Sequence, residues 1–235
     1  MQEEITKHSN KIYKTVKNSE HTLGEKVKEI IIEIFIIVFA VTLSIWLHSW
    51  SEHSHQQEEV SVFLSTLKND LQNDVKSIDN EMEAYQKTNK SYEKILALTT
   101  SQLDSIYKSK NKVSFPIHSH GQILNIGNYE GFKSSGKIGY IENEELKQKI
   151  LNYYQIFVPA VNEVNKMYND YLFKCFDKEI ENADKSEKEL YSDPKYKKTL
   201  EYLVKLGNNN LRVYNENTKP LAVELIKEID KELNK

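Results

Sequence analysis

Ile34-Phe-Ile-Ile-Val-Phe-Ala-Val-Thr-Leu-Ser-Ile-Trp-Leu47 lies inside a stretch, residues 29–67, that contains no Lys or Arg. The chain as a whole is 29% charged, so this is the one place where it is compatible with lipid. A transmembrane helix needs roughly 20 mostly apolar residues. Ile30 to Trp50 supplies that length, interrupted by Glu33 near one end and His48 near the other. Trp46 and Trp50, the two tryptophans of the chain, fall at the far end, where indole rings favour the headgroup layer. A buried core helix of this length normally keeps a polar face. A cleaved signal peptide has a shorter apolar core and a small-x-small cleavage site, whereas His48-Ser-Trp-Ser-Glu-His53 follows here. The reading is a single transmembrane helix over 30–50.

The basic residues orient it. Lys7, Lys11, Lys14, Lys17, Lys26 and Lys28 precede the span, and Lys68 is the first basic residue after it, so the positive-inside rule places residues 1–29 in the cytoplasm. Residues 51–235 are then expected outside it, facing the periplasm from the inner membrane of a Gram-negative cell. Cys175 is the single cysteine, so that part folds without an intrachain disulfide and relies on packing.

From Val60 the apolar pattern is helical. Leu64, Leu71, Ile78, Tyr85, Tyr92, Thr99 and Ile106 fall seven apart, with Val75, Met82, Leu96 and Leu103 as an adjoining row. A seven-residue period implies packing at a shallow angle, coiled-coil fashion. No Pro or Gly lies between Gly24 and residue 115, so the span is expected to run on into this helix. Composition then shifts: Pro116 and five of the seven glycines (Gly121, Gly127, Gly131, Gly136, Gly139) fall between 115 and 140, with short strands conceivable at Val113–Phe115 and Gln122–Ile126. Asn143 followed by two glutamates reads as an N-cap, and Asp193-Pro194 as a second, with Pro at the first helical position. Leu146, Ile150, Tyr154, Phe157, Val161, Val164, Tyr168, Tyr171, Cys175 and Ile180 mark one further helix, kinked at Pro159. Leu200, Val204, Leu211, Tyr214, Leu221, Leu225, Ile229 and Leu233 mark another, with Gly207 and Pro220 as weak points. The expected fold is all-α: the transmembrane helix, then an antiparallel bundle of three long helices. The glycine-rich irregular segment, 110–142, is placed at the far tip and the polar 181–192 turn near the membrane.

Glu33, Ile34, Ala40, Trp50 and Glu52 fall where a pattern G-E-I-(apolar)-G-I-(apolar)-N-x-W-N-E has its fixed positions, with Ala40 for a glycine and His48 for an asparagine. Tyr129-Glu-Gly-Phe-Lys-Ser-Ser-Gly-Lys-Ile-Gly-Tyr-Ile-Glu-Asn-Glu-Glu-Leu-Lys147 matches Y-E-x-L-K-S-S-G-x-L-x-L-I-x-x-x-E-L-R. On these residues the chain resembles an uncharacterised bacterial family of small single-pass membrane proteins with a helical extracytoplasmic domain, known as a domain of unknown function. The resemblance covers most of the chain from residue 29 and implies topology and helical character. It carries no catalytic residue.

Other motifs are weighed against plainer readings. Gly131-Phe-Lys-Ser-Ser-Gly136-Lys137 mimics a phosphate-binding loop, but Ile138 stands where a Ser or Thr would hold magnesium. Ser134-Ser-Gly-Lys137 also fits S-x-x-K, which leaves a hydrolase built on Ser134 and Lys137 as a remote alternative. The plainer reading is a turn that caps the following segment, with Phe132 and Ile138 plugging the bundle tip. His53 with His55, and His118 with His120, are at most two-ligand sites and read as exposed polar segments rather than metal centres. Glu33, an ionisable residue in the span, is expected either to reach the interface or to meet a polar or basic partner helix. Fourteen tyrosines at helical spacing read as core and rim. Evenly spread lysines and a net charge of −3 give no sign of nucleic acid binding. The expectation is a non-enzymatic interaction or scaffold protein of a membrane complex, without cofactor or metal, whose partners are the bilayer and either copies of itself or another membrane protein. Its candidate contact residues are Glu33, Trp50, Tyr129, Glu130, Phe132, Lys133, Ser134, Ser135 and Gly136. The alternative is a ligand-sensing bundle that signals through a partner.

Overall fold

The computed structural model describes residues 2–17, 23–109, 113, 118–121, 124–182 and 184–235. The described residues are all-helical, with no strand. Helix α1 is Gln2–Lys17, α2 Leu23–Ala97, α3 Thr100–Lys108, α4 Gly127–Ser134, α5 Glu144–Asn152, α6 Val158–Glu181, α7 Glu187–Ser192, α8 Pro194–Arg212 and α9 Lys219–Leu233. A 3-10 turn spans Lys137–Tyr140, and π-helical turns join α5 to α6 (Tyr153–Phe157) and α8 to α9 (Val213–Thr218). Of the strands conceivable at 113–115 and 122–126, Val113 and residues 124–126 are irregular, and the rest lie outside the described residues, as does Pro116.

The chain divides into two compact units, Met1–Glu59 and Val60–Lys235, and α2 contributes to both. In the first unit α2 is long and apolar enough to cross a membrane. Its most apolar window has mean hydropathy 2.7 and is only 6% buried, so Phe35, Val38, Phe39, Leu43, Trp46 and Trp50 present bare side chains.

In the second unit three helical stretches lie side by side around one core. Leu64, Leu71, Ile78, Tyr85 and Tyr92 of the seven-residue row are all buried. The row ends there, because Thr99 begins a new helix with a capping box: its Oγ1 accepts from Gln102 N–H, and Gln102 Oε1 accepts from Thr99 N–H. Asn143 and Asp193 cap α5 and α8 as their sequence signals predict. Ile180 is the exception on its stripe, exposed at 59%.

The order of contacts along the helices corrects the expected topology. Residues 60–97 run antiparallel to 194–233: Leu98 meets Lys197, Asn89 meets Val204 and Asn208, Asp79 meets Lys219, and Lys68 meets Asp230. Residues 144–181 also run antiparallel to 194–233, through Asn143–Glu232, Lys149–Glu228, Asn165–Tyr214 and Lys178–Thr199. The first and second stretches therefore run in the same direction. This is possible because the connection between them travels back along α2: His120 reaches Glu81, Asn125 reaches Asp74, Asn128 reaches Asp70, and Phe132 stacks on Phe63. Residues 124–140 of the glycine-rich segment thus lie toward the Val60 end of the unit, not at the opposite tip, and 127–134 and 137–140 are helical. The 182–193 turn lies at the other end, where Lys188 pairs with Asp104 and Tyr107 O–H donates to Glu187. A second, smaller core of Ile95, Leu103, Leu190, Tyr191, Tyr196 and Leu200 closes that end.

Pro159 and Pro220 do not break their helices. Each follows a π turn in the same register, Tyr153-x5-Pro159 and Tyr214-x5-Pro220, in which the tyrosine carbonyl accepts from the residue just before the proline. A π turn holds one residue more than an α turn. It removes the clash of the proline ring with the preceding turn and leaves Tyr153 and Tyr154 both buried.

Candidate functional site

The Lys-Ser-Ser-Gly element forms an exposed corner. Tyr129 is fully buried beneath it, stacked on Tyr154 with centroids 4.4 Å apart, and its hydroxyl accepts from Gln155 Nε2 at 2.8 Å. Lys133 Nζ lies 5.4 Å from the Tyr129 ring centroid and 3.9 Å from Glu130. Phe132 stacks on Phe63 at 3.9 Å, which fixes the corner to α2. Ser134 and Ser135 hydroxyls donate to the carbonyls of Gly131 and Phe132. Gly136, at φ 78°, takes the left-handed conformation that stops α4, and its N–H donates to Lys133 O at 3.0 Å. The turn therefore ends the preceding helix as well as opening the 3-10 turn at Lys137. The N–H groups of Ser135 and Gly136 are committed to Gly131 and Lys133 carbonyls, so they do not form the convergent donor cradle of a phosphate loop.

The middle of the second unit holds a buried polar cluster that sequence reasoning missed. His120, read as exposed, is 2% exposed. Its ring stacks on Tyr85 with centroids 3.8 Å apart and meets Tyr168 edge-on at 5.2 Å. Nδ1–H donates to Glu81 Oε1 at 3.1 Å, and Nε2 lies 3.3 Å from the Thr88 hydroxyl, which can accept or donate. Its backbone N–H donates to Asn169 Oδ1, whose amide returns a bond to His120 O, and Gly121 N–H donates to Glu81. Below it, Tyr85 O–H donates to Asn165 Oδ1, Asn210 Nδ2 donates to Tyr85, and Asn165 Nδ2 donates to Tyr214. Burial pushes the Tyr85 phenol far above its ordinary range and takes that of Tyr214 up to about 12. These groups come from three helices and the returning connection, and no local pattern announces that they meet. His118, next to His120 in space at 4.9 Å between rings, is exposed, and His53 and His55 are exposed on α2.

Two turns of α2 nearer the Val60 end than Glu81, Asp74 is fully buried and accepts from Asn125 N–H at 3.0 Å and from Asn125 Nδ2 at 2.6 Å. Desolvation raises its pKa, the Asn125 bonds oppose the rise, and the Asp70 charge adds to it. The buried hydroxyls of Tyr153 and Tyr154 have no hydrogen-bond partner among the described residues.

In the first unit the structure answers the question of Glu33. It is 4% exposed, and its partner is the chain's own α1: Oε2 lies 2.5 Å from His8 Nδ1, and Oε1 pairs with Lys11. Trp50 is 63% exposed. Among the described residues no group of three or more His, Cys, Asp or Glu is placed to hold a metal ion.

The profile of a family of unknown function, DUF6090, matches residues 33–198, which takes in Glu33, the Lys-Ser-Ser-Gly corner and the His120, Tyr85 and Asn165 part of the buried cluster, with Asn210 and Tyr214 beyond it. No curated protein and no solved structure matches the chain.

Proposed function

Because the chain belongs to the DUF6090 family, whose function is unknown, its role has to come from its own geometry, and we propose that it is a membrane-anchored helical interaction protein. In this reading the apolar part of α2 crosses the inner membrane once, residues before it are cytoplasmic, and the second unit faces the periplasm as a scaffold for copies of itself or for another membrane protein. The observation that carries the reading is the bare apolar surface of α2 between Ile31 and Trp50. At about 25 cal/mol per Å² such surface is costly in water, and lipid is the environment in which that cost vanishes. The pairing of Glu33 with Lys11 and His8 supports it, since a carboxylate near lipid requires such a partner.

Interaction, rather than catalysis or solute binding, is supported by what fills the second unit. The amides and hydroxyls of Tyr85, Asn165, Asn210 and Tyr214 bond to one another. Exposed features include a serine-bearing corner at 130–136, where Lys133 and Glu130 balance in charge, and scattered apolar side chains such as Met167 and Phe173.

Two measurements test the proposal. Cys175 is buried, its thiol pushed up to about 12 chiefly by burial, so it is a silent background for cysteine labelling. A Ser134→Cys variant labelled by an impermeant maleimide on spheroplasts, with Ser9→Cys labelled only after lysis, is the expected result; the reverse pattern refutes the orientation. Isolation of the tagged full-length protein in mild detergent is expected to give a stoichiometric partner or a self-associated species. A monomer alone at every concentration would refute the scaffold role. Ligand-dependent melting without association would favour the sensing alternative.

A further inference from the structure

Asp74 is the carboxyl group of the second unit that lies fully inside the core. Its hydrogen bonds among the described residues come from the uncharged backbone and side-chain amides of Asn125. The titratable groups that face it are Asp70 on its own helix, itself held by Asn128, and Tyr153 and Tyr154 on the π turn. The returning connection contributes only the Asn125 and Asn128 amides, and no Lys, Arg or His pairs with Asp74 among the described residues. The Tyr153 and Tyr154 side chains are more than nine-tenths buried and feel the charge of Asp74, and their hydroxyls have no hydrogen-bond partner among the described residues. A buried carboxylate without a cation is costly, and such a group relieves the cost by taking up a proton.

We infer that Asp74 is a proton-binding site: in the folded unit it is a neutral acid held by the Asn125 amides, and its ionisation places an uncompensated charge in the core and destabilises the fold. Protonation at Oδ2 removes the buried charge, while Oδ1 goes on accepting from the Asn125 N–H and Nδ2. Burial moves the pKa in the same direction, upward from the ordinary carboxylate range. A folded-state value above the unfolded one gives stability that is complete below the ordinary carboxylate pKa and is lost as pH rises through the raised value. The inference does not depend on the membrane reading.

The test is the melting temperature of the full chain in detergent from about pH 4 to pH 8, wild type against Asp74→Asn, an isostere of the neutral acid. The expected result is a difference that grows with pH, the variant melting higher than wild type at the upper end. Parallel curves overturn the inference. Because a variant can misfold for other reasons, infrared spectroscopy of the wild type is the second measurement. A carboxylic-acid carbonyl band that persists near neutral pH in wild type and is lost in Asp74→Asn supports the proton, and its absence from wild type, or its persistence in the variant, overturns it. Stabilisation of wild type but not Asp74→Asn by sodium over choline at the alkaline end also overturns it, in favour of a bound cation.

Discussion

Gly207 touches the bundle where no side chain fits. A Cβ built there would lie 2.4 Å from Asn89 Oδ1 and 2.8 Å from Nδ2, and Asn89 is itself buried, donating to Asn208 Oδ1 and Val204 O. Two effects compete in Gly207→Ala. Helix propensity favours alanine by about 1 kcal/mol, and overpacking a buried contact costs about 1–3 kcal/mol. The clash is the larger, so Gly207→Ala is expected to destabilise the chain on chemical denaturation. In an Asn89→Ala background, where the obstacle is gone, the same change should be neutral or stabilising. Equal costs in both backgrounds would show that the close approach of α8 to α2 is not the reason for glycine. In sequence this position reads only as a weak point in a helix. A glycine chosen for contact looks the same as one chosen for a turn.

At the scale of elements, the π turns carry the register of two helices past their prolines. Tyr153 and Tyr154 are both buried, as are Val158, Val161, Asn165 and Tyr168 beyond them. From Ile150 to Val158 the buried face is held over one residue more than the heptad spacing that an α-helix keeps. Deleting Ile156, which is exposed at 57% inside the turn, together with Pro159→Ala, so that no proline ring meets the tightened turn, should convert it to an α turn and leave the buried face of α6 in place. Deleting Met167, exposed but within regular α6, should rotate every later residue by about 100° and misplace Leu172 and Cys175. Circular dichroism and melting should therefore show a folded chain for the first deletion and a collapsed transition for the second. Much of this level is legible beforehand: Asn143, Asp193-Pro194 and the stripes locate the helices because caps and periodicity are local chemistry. The π turns are not legible, since a proline inside a stripe announces a disturbance without saying which kind.

The whole second unit has two cores of unequal size. The larger runs from Val60 to Ile229, and the smaller joins α3, α7 and the start of α8. The exposed pairs Lys188–Asp104 and Tyr107–Glu187 that help close the smaller one are weak contributors to stability. Leu103→Ala, expected to cost about 2–5 kcal/mol at this fully buried site, should accelerate hydrogen exchange in α3 and α7 while the middle of α6 keeps its protection. Uniform acceleration would show instead that the cores open together. Topology at this scale was the part of the fold that sequence could not supply. Whether the connection after α3 turns outward or back along α2 is decided by Asp70, Asp74 and Glu81 capturing amides of residues 121–128, pairs distant in sequence and without a spacing rule. The same capture buries His120, whose alternation with His118 gave the opposite expectation.

That Lys68 pairs with Asp230, and that Ile229 lies in the same core as Leu64 and Leu71, sets a condition on the chain as it leaves the ribosome. The apolar stripe of α2 emerges first, and its antiparallel partner is made about 160 residues later. At about 5–20 residues per second that interval is roughly ten to thirty seconds. Over that time the nascent stripe has no finished core to enter, and whatever holds it during synthesis, whether a chaperone or the returning 118–132 connection, governs the yield of folded protein.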